Sequence, residues 1–400
     1  MTDSATRGKF RRVRGRLDAG VSPQTPMISV PLEREDVLRR AAALGASDLL
    51  ITAGHPVMVQ VAGRLQPLEG CPVLAPEDSK RLGESFLDPA SAERFQRDLE
   101  LDTRCTLEGI AHFRVNLFIQ RGAWAAAIRV IPMRIPLPGE IGLAPHAVTR
   151  LLGITRGLVL VTGPTGSGKS TTIASLLEQV NQLGPPRHVV TIEDPIEFVF
   201  ETRKAVIDQR EVGTDTRSYA RGLKGALRQL PHIIFVGEMR DITSMAIALT
   251  AAETGNLVIS TMATQSAAQT VTRIIDSFPP HQQAQIRSQL SLTLRAVVSQ
   301  ILLPKSDGRG RVAARELMFV NQAIQNLIRE DKLHQVTNAI STGARDDMLA
   351  MDDSLAELVD RGTISFETAY PFFEDSEKRA SLQRRTYRVA NVPEPARKSV

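Results

Sequence analysis

Cysteine is nearly absent from this 400-residue chain. The two present, Cys71 and Cys105, lie far apart and form no Cys-x-x-Cys pair. Neither a structural zinc site nor a disulfide framework can be read from that spacing, which leaves two reduced thiols of a cytosolic protein as the plain reading. Long apolar runs are missing too. No stretch approaches the roughly 20 residues that a bilayer-spanning helix needs. The N-terminus is basic and lacks the apolar segment of a secretory signal. Aromatics are scarce: one Trp and three Tyr offer little for stacking nucleic-acid bases. The expected location is cytoplasmic, with contact to a membrane-bound partner left open.

The net charge of +5 hides a division. The first 20 residues carry six Lys/Arg against two Asp, and residues 376–400 carry seven against two Glu, so the body between them is slightly negative. Basic ends of this kind read as solvated tails, or as elements that touch anionic lipid or an acidic partner. A body without positive charge argues against a dedicated nucleic-acid binder.

What is present is enough apolar residue, 42%, to bury the cores of about two domains. Residues 1–27 read as a disordered basic tail. Residues 28–135 read as a small α+β domain, with helical spacing over Leu32–Leu44, short strands in Asp48–Leu65, helix over 77–99 and strand again from Thr103 to Val130. A proline-rich linker follows, from Ile131 to Pro138. Residues 136–370 read as a larger α/β domain. Four continuous apolar strands, Leu158–Thr162, His188–Ile192, Ile233–Val236 and Leu257–Thr261, alternate with helices such as Ser218–Gln229 and Ile242–Glu253. This predicts a mostly parallel sheet with helices on both faces. From about Gln282 to Asp360 the pattern reads as mainly helical. Residues 371–400 read as a second disordered basic tail.

Between the first of those strands and its helix stands Gly163-Pro164-Thr165-Gly166-Ser167-Gly168-Lys169-Ser170, followed by Thr171, which fits the phosphate-loop pattern without departure. Glycines let backbone amides curl around phosphates, and the following helix offers its positive end to the same anion. The pattern predicts ATP as ligand, Lys169 on its β- and γ-phosphates, and Ser170 as a ligand of Mg²⁺. Ile233–Val236 leads through Gly237 to Glu238, placed to orient the attacking water as general base beside the metal. A second acidic cluster, Glu193, Asp194 and Glu197, leaves another strand at the same edge. It could hold Mg²⁺ through water or polarise the nucleophile, or be a solvated turn.

The strings GPTGSGKSTT, TIEDPIEF, QREVGTDT, VGEMRD, LTAAETG and RIIDSFP occur in this order. Together they resemble the type IV pilus retraction ATPases, the PilT and PilU proteins of the secretion-ATPase superfamily, over about residues 32–365. Ala46-Ser-Asp48, Phe113-Arg-Val-Asn116, Gly308–Ala314 and Ala323–Glu330 resemble further strings of that family. The resemblance implies a PAS-like N-terminal domain, a RecA-like P-loop NTPase domain over residues 136–370 and a homo-hexameric ring, with Arg114 and Arg129 as arginine fingers at a neighbour's nucleotide. It also implies an inner-membrane pilus platform as partner, a paralogous retraction ATPase beside it, and ATP-driven domain motion that retracts the pilus in twitching motility. No nucleic acid is expected.

Two departures stand out. Where the family has a histidine box, this chain has Thr261-Met-Ala263-Thr264, and where the family has Asp-Pro-Asp it has Leu230-Pro-His232. The second predicts two carboxylates lost near the site. Both favour an alternative to the motor: an ATP-binding accessory subunit or scaffold with weak hydrolysis. A nucleic-acid translocase is a third reading, disfavoured by charge and composition.

Overall fold

The computed structural model describes residues 32–390 except residue 62. The tail expected over 1–27 lies outside the described residues, as do residues 391–400.

Helix α1 (Arg34–Ala43) turns Val37, Leu38 and Ala41 inward and stops where Gly45 adopts a left-handed φ of 68°. Strands β1 (Asp48–Thr52), β2 (Met58–Val61) and β3 (Arg64–Pro67), helices α2 (Pro76–Glu84) and α3 (Pro89–Asp98), and the longer strands β4 (Glu100–Leu107), β5 (Ala111–Gln120) and β6 (Ala123–Pro132) follow. The strands form one antiparallel sheet in the order β3-β2-β1-β6-β5-β4. Along β5, Ala111, Phe113, Val115 and Leu117 are buried and the residues between them are not. That period of two marks a strand covered on one face only. The covered face joins Leu38, Ile51 and Phe95 in a core of its own.

The second half opens with α4 (Pro145–Leu152). It continues through β7 (Gly157–Thr162), α5 (Lys169–Leu183), β8 (His188–Glu193), β9 (Val206–Glu211), α6 (Tyr219–Ala226), β10 (Ile233–Val236) and α7 (Ile242–Glu253). Then come β11 (Leu257–Met262), α8 (Ala267–Asp276), α9 (Pro280–Thr293), β12 (Leu294–Pro304) and β13 (Arg311–Phe319). Seven strands pair in the order β13-β12-β7-β11-β10-β8-β9, all parallel except β12 with β13. One face buries Val159, Val161, Ile173 and Leu177 under α4 and α5. The other buries Leu158, Leu160, Leu223 and Leu249 under α6 to α9. This is the α/β arrangement of a P-loop NTPase.

Two expectations need correction. The stretch from Gln282 to Asp360, read as mainly helical, contains the β12–β13 hairpin. β12 is covered on both faces, so its apolar run lacks the alternation that marks a strand. Helices α10 (Gln322–Arg329), α11 (Val336–Ser341), α12 (Met351–Asp360) and α13 (Phe366–Ala369) then follow. The disordered tail expected over 371–400 is also corrected, because α14 (Ser376–Ala390) occupies its middle. Leu382 is buried in a small core with Leu355, Phe366 and Phe373. Lys378 pairs with Asp353 at 2.7 Å and Arg385 with Asp360 at 3.4 Å, so two of the cations that suggested a free tail sit on carboxylates of α12. No described helix is long and apolar enough to cross a membrane.

Candidate active site

Parallel strands deliver their C-terminal ends to one sheet edge, and the loops that follow them share that edge. After β7 the chain turns through Gly163 (φ 141°), Gly166 (79°) and Gly168 (85°), backbone states that L side chains rarely adopt. A Cβ on Gly163 would also stand 2.1 Å from the Gln300 carbonyl oxygen. Strain of this kind costs on the order of 1–3 kcal/mol. Gly163→Ala is therefore expected to weaken nucleotide binding roughly 10- to 100-fold, as read by titration with fluorescent ADP.

Pro164, Thr165 and Gly166 form the exposed tip of the loop. Among the described residues, the amides of Gly166, Gly168, Lys169 and Ser170 donate to no protein acceptor, and the Ser167 hydroxyl is buried without a partner. Ser170 and Thr171 stand half-buried in the first turn of α5. Donors that converge without acceptors at a helix N-terminus make an anion cradle. The Lys169 ammonium folds over the loop and donates to the carbonyls of Gly163 (2.9 Å) and Pro164 (3.0 Å). Burial pulls its pKa down, while the nearby charges of Glu238 and Glu197 push it back up. Both carboxylates therefore lie within electrostatic reach of the lysine.

Glu238 is set by its neighbours. The Gly237 amide donates to the Ile192 carbonyl at 2.8 Å, the Met239 amide to the Thr261 carbonyl at 3.2 Å, and the Thr261 hydroxyl to the Gly237 carbonyl at 2.6 Å. The turn is thus stitched to the strands on either side. Asp241 closes it by capping α7 through the Ser244 amide at 2.9 Å. The Glu238 carboxylate is held by Arg240 Nε at 2.7 Å, a partner that the sequence reading did not single out.

Glu193 ends β8 and is buried, so it is no solvated turn; Asp194 beside it is exposed. Glu193 Oε1 accepts from the Thr191 hydroxyl (2.7 Å) and Gln209 Nε2 (3.1 Å). Burial pushes its carboxyl up to about 7, against the pull of those bonds. Tyr219 was also missed. Burial and the charges of Asp194, Glu238 and Glu193 raise its phenol, while Arg240 opposes them.

Gln300 on β12 was missed with its strand. Its buried amide donates to the Ser167 carbonyl at 2.6 Å and accepts from the Thr172 hydroxyl at 2.8 Å, clamping the phosphate loop to α5. An apolar replacement would strand both partners at roughly 1–3 kcal/mol each. The polar pair Ser299-Gln300 inside the apolar stretch Ala296–Leu303 was the available signal.

Arg114 and Arg129 stand opposite each other on β5 and β6. Their ion-pair partners are Asp102 (3.8 Å) and Asp48 (3.1 Å), in their own sheet. Within this chain they are not brought to the phosphate loop by any recorded contact among the described residues.

The two departures separate. Ala263 follows β11 at the site edge, beside the bond from the Gly163 amide to the Met262 carbonyl (3.3 Å). Leu230 and His232 precede β10, so they lie at the opposite edge, where His232 Nδ1 accepts from the His188 amide at 3.0 Å. The expectation that carboxylates were lost near the site is therefore corrected: four residues of strand, roughly 13 Å, intervene.

Comparisons with known proteins agree with this geometry. Residues 139–370 match the family described as "Type II/IV secretion system protein". The chain is 45% identical over 334 residues to the "Type IV pilus retractation ATPase PilT" of Pseudomonas aeruginosa, covering 84% of this chain and 96% of that protein. It is 43% identical over 320 residues to a "Twitching motility protein" of Neisseria gonorrhoeae, covering 80% and 85%. Among solved structures, the pilus retraction motor PilT with bound ADP superimposes with a TM-score of 0.79 at 44% identity, covering 87% of this chain and 98% of that one. With a phosphate loop, a carboxylate set across from it and relatives of nearly full length, the chain belongs to the type II/IV secretion system family, among its pilus retraction and twitching-motility ATPases.

Proposed function

We propose that this chain hydrolyses ATP to drive retraction of a type IV pilus. The observation that carries the reading is the amide cradle with Lys169 over it and Glu238 and Glu197 in electrostatic reach. In this scheme the loop amides and Lys169 hold the β- and γ-phosphates. Glu238, released from Arg240, takes the proton of the attacking water. Mg²⁺ would be held through the Ser170 hydroxyl and, by way of water, Glu238 or Glu193, and would neutralise phosphate charge. Among the described residues no group of three His, Cys, Asp or Glu could hold a cation alone, which suits an ion that shares its shell with phosphates and water.

Arg114 and Arg129 act in this scheme as fingers in trans, each N-terminal sheet facing a neighbour's nucleotide in a homo-hexamer. Their pairs with Asp102 and Asp48 involve largely solvent-accessible groups, and such pairs are weak enough to exchange for a γ-phosphate. The ring would sit in the cytoplasm against an inner-membrane platform protein, with a paralogous ATPase as companion. Loss of twitching in a deletion strain, restored by the wild-type gene, is the expected result; unchanged motility in the deletion overturns the retraction role.

A second reading, an accessory ATP-binding subunit with slow turnover, is favoured by one observation: Ala263 presents no titratable group at the site edge. With Leu230 and His232 placed elsewhere, it rests on that residue alone.

The Glu193 value gives a pH test. A carboxyl whose folded pKa lies above its unfolded one contributes stability at low pH, and that contribution is lost as pH rises from the ordinary 4.5 towards 7. Ionisation near neutrality also changes the charge beside the catalytic water. The turnover rate should therefore show a step centred near pH 7, which Glu193→Gln flattens, as measured by steady-state rates from pH 6 to 8.

A further inference from the structure

Arg315, on β13, is 5% exposed, and its Nε has no hydrogen-bond partner among the described residues. No carboxylate among the described residues pairs with it, and burial alone pulls its guanidinium down to about 10. A buried cation without a counter-ion is expensive and is kept only where its remaining bonds matter. Here one bond stands out: Nη2 donates to the carbonyl of Ile141 at 2.7 Å. Ile141 belongs to the segment that joins the two sheets.

That segment is ordered by its own bonds. Glu140 accepts from the Leu137 amide (2.7 Å) and pairs with Arg134 (2.6 Å), and the Leu143 amide donates to the Pro138 carbonyl at 2.9 Å. Gly142 takes a φ of 77°, and a Cβ there would stand 3.7 Å from Arg315 Nη1. On the ladder between β12 and β13, Arg315 is directly opposite Gln300, the residue that clamps the phosphate loop. The two side chains of this cross-strand pair share one face of the sheet and reach to different segments, Gln300 to the nucleotide loop and Arg315 to the interdomain segment.

We propose that Arg315 is a positioning residue that anchors the interdomain segment at Ile141, so that movement of the phosphate loop reaches the N-terminal sheet through the Gln300–Arg315 pair. The inference rests on the ATPase reading above. The segment, braced by its own bonds from Arg134 to Leu143, then moves with the ATPase sheet and carries that motion back towards the N-terminal sheet. Losing the Ile141 carbonyl would leave the guanidinium buried without its acceptor, which makes the segment either docked or released.

The test uses the full chain with Arg315→Met, which keeps the volume and removes the donors, and Arg315→Lys, which keeps a donor. For Arg315→Met, amide exchange over residues 138–144 is expected to speed up at least 10-fold and kcat to fall about 10-fold. The KM for ATP and the Kd for fluorescent ADP should stay within about 2-fold. Arg315→Lys should recover most of both the protection and the rate. Unchanged exchange and unchanged kcat in Arg315→Met overturn the anchor. So does an equal loss in both variants accompanied by a lower melting temperature, which would mark an ordinary packing residue. Failure of the wild type to bind ADP or turn over ATP would instead overturn the ATPase reading, and the exchange comparison would still decide the anchor.

Discussion

Glu238→Gln is expected to cut steady-state ATP turnover by roughly 10²- to 10⁴-fold, the range that a positioned general base supplies, while ATP remains bound. The substitution keeps the shape of the side chain and the stitched turn, since the bonds that hold residues 237–239 are made by backbone groups and by the Thr261 hydroxyl. It removes the charge that faces Arg240, whose side chain is mostly exposed, so the cost in folding stability is small. Binding should survive because the cradle amides and Lys169 are untouched. The variant should therefore retain ATP where the wild type accumulates ADP, measured by chromatography of the nucleotide bound after a single turnover. Turnover in the unaltered chain already as slow as in the variant would overturn the motor and leave the accessory reading standing.

Much of this arrangement could be read from sequence, and the reasons are local. The phosphate loop needs glycines at fixed spacing between a buried strand and a helix, and few other structures make that demand. The N-terminal sheet covers one face only, so β5 wrote its period of two into the sequence. What escaped was set by distant pairing. β12 is apolar on both faces because β7 and β13 flank it and helices cover it, and such a run cannot be told from a buried helix. β9, Val206-Ile-Asp-Gln-Arg-Glu211, is a polar edge strand that, among the described strands, pairs only with β8. The position of Leu230 and His232 was misjudged because closeness along the chain to Glu238 is not closeness in space when a strand lies between. α14 looked like a tail because its cations could not be matched to Asp353 and Asp360 before α12 was placed.

Lys169→Ala should abolish function with little effect on the fold. Among the described residues the ammonium donates to the Gly163 and Pro164 carbonyls alone, and Pro164 at the loop tip is exposed. Water can replace those bonds, so the melting temperature without nucleotide should change by no more than a few degrees. With nucleotide the balance differs. Charge-assisted bonds from an ammonium to phosphate oxygens contribute about 1.5–3 kcal/mol each, and losing two of them weakens ATP binding roughly 10²- to 10⁴-fold. Glu238 and Glu197, whose charges act on Lys169, add to the expected loss, because without the ammonium their charge is no longer offset at this edge of the sheet. The stabilisation that ATP gives the wild type in a thermal melt should therefore vanish in the variant, since a ligand raises stability only by binding the folded state. A variant still protected by ATP to the same extent would show that the triphosphate sits elsewhere and would remove the basis for assigning catalysis to this edge of the sheet.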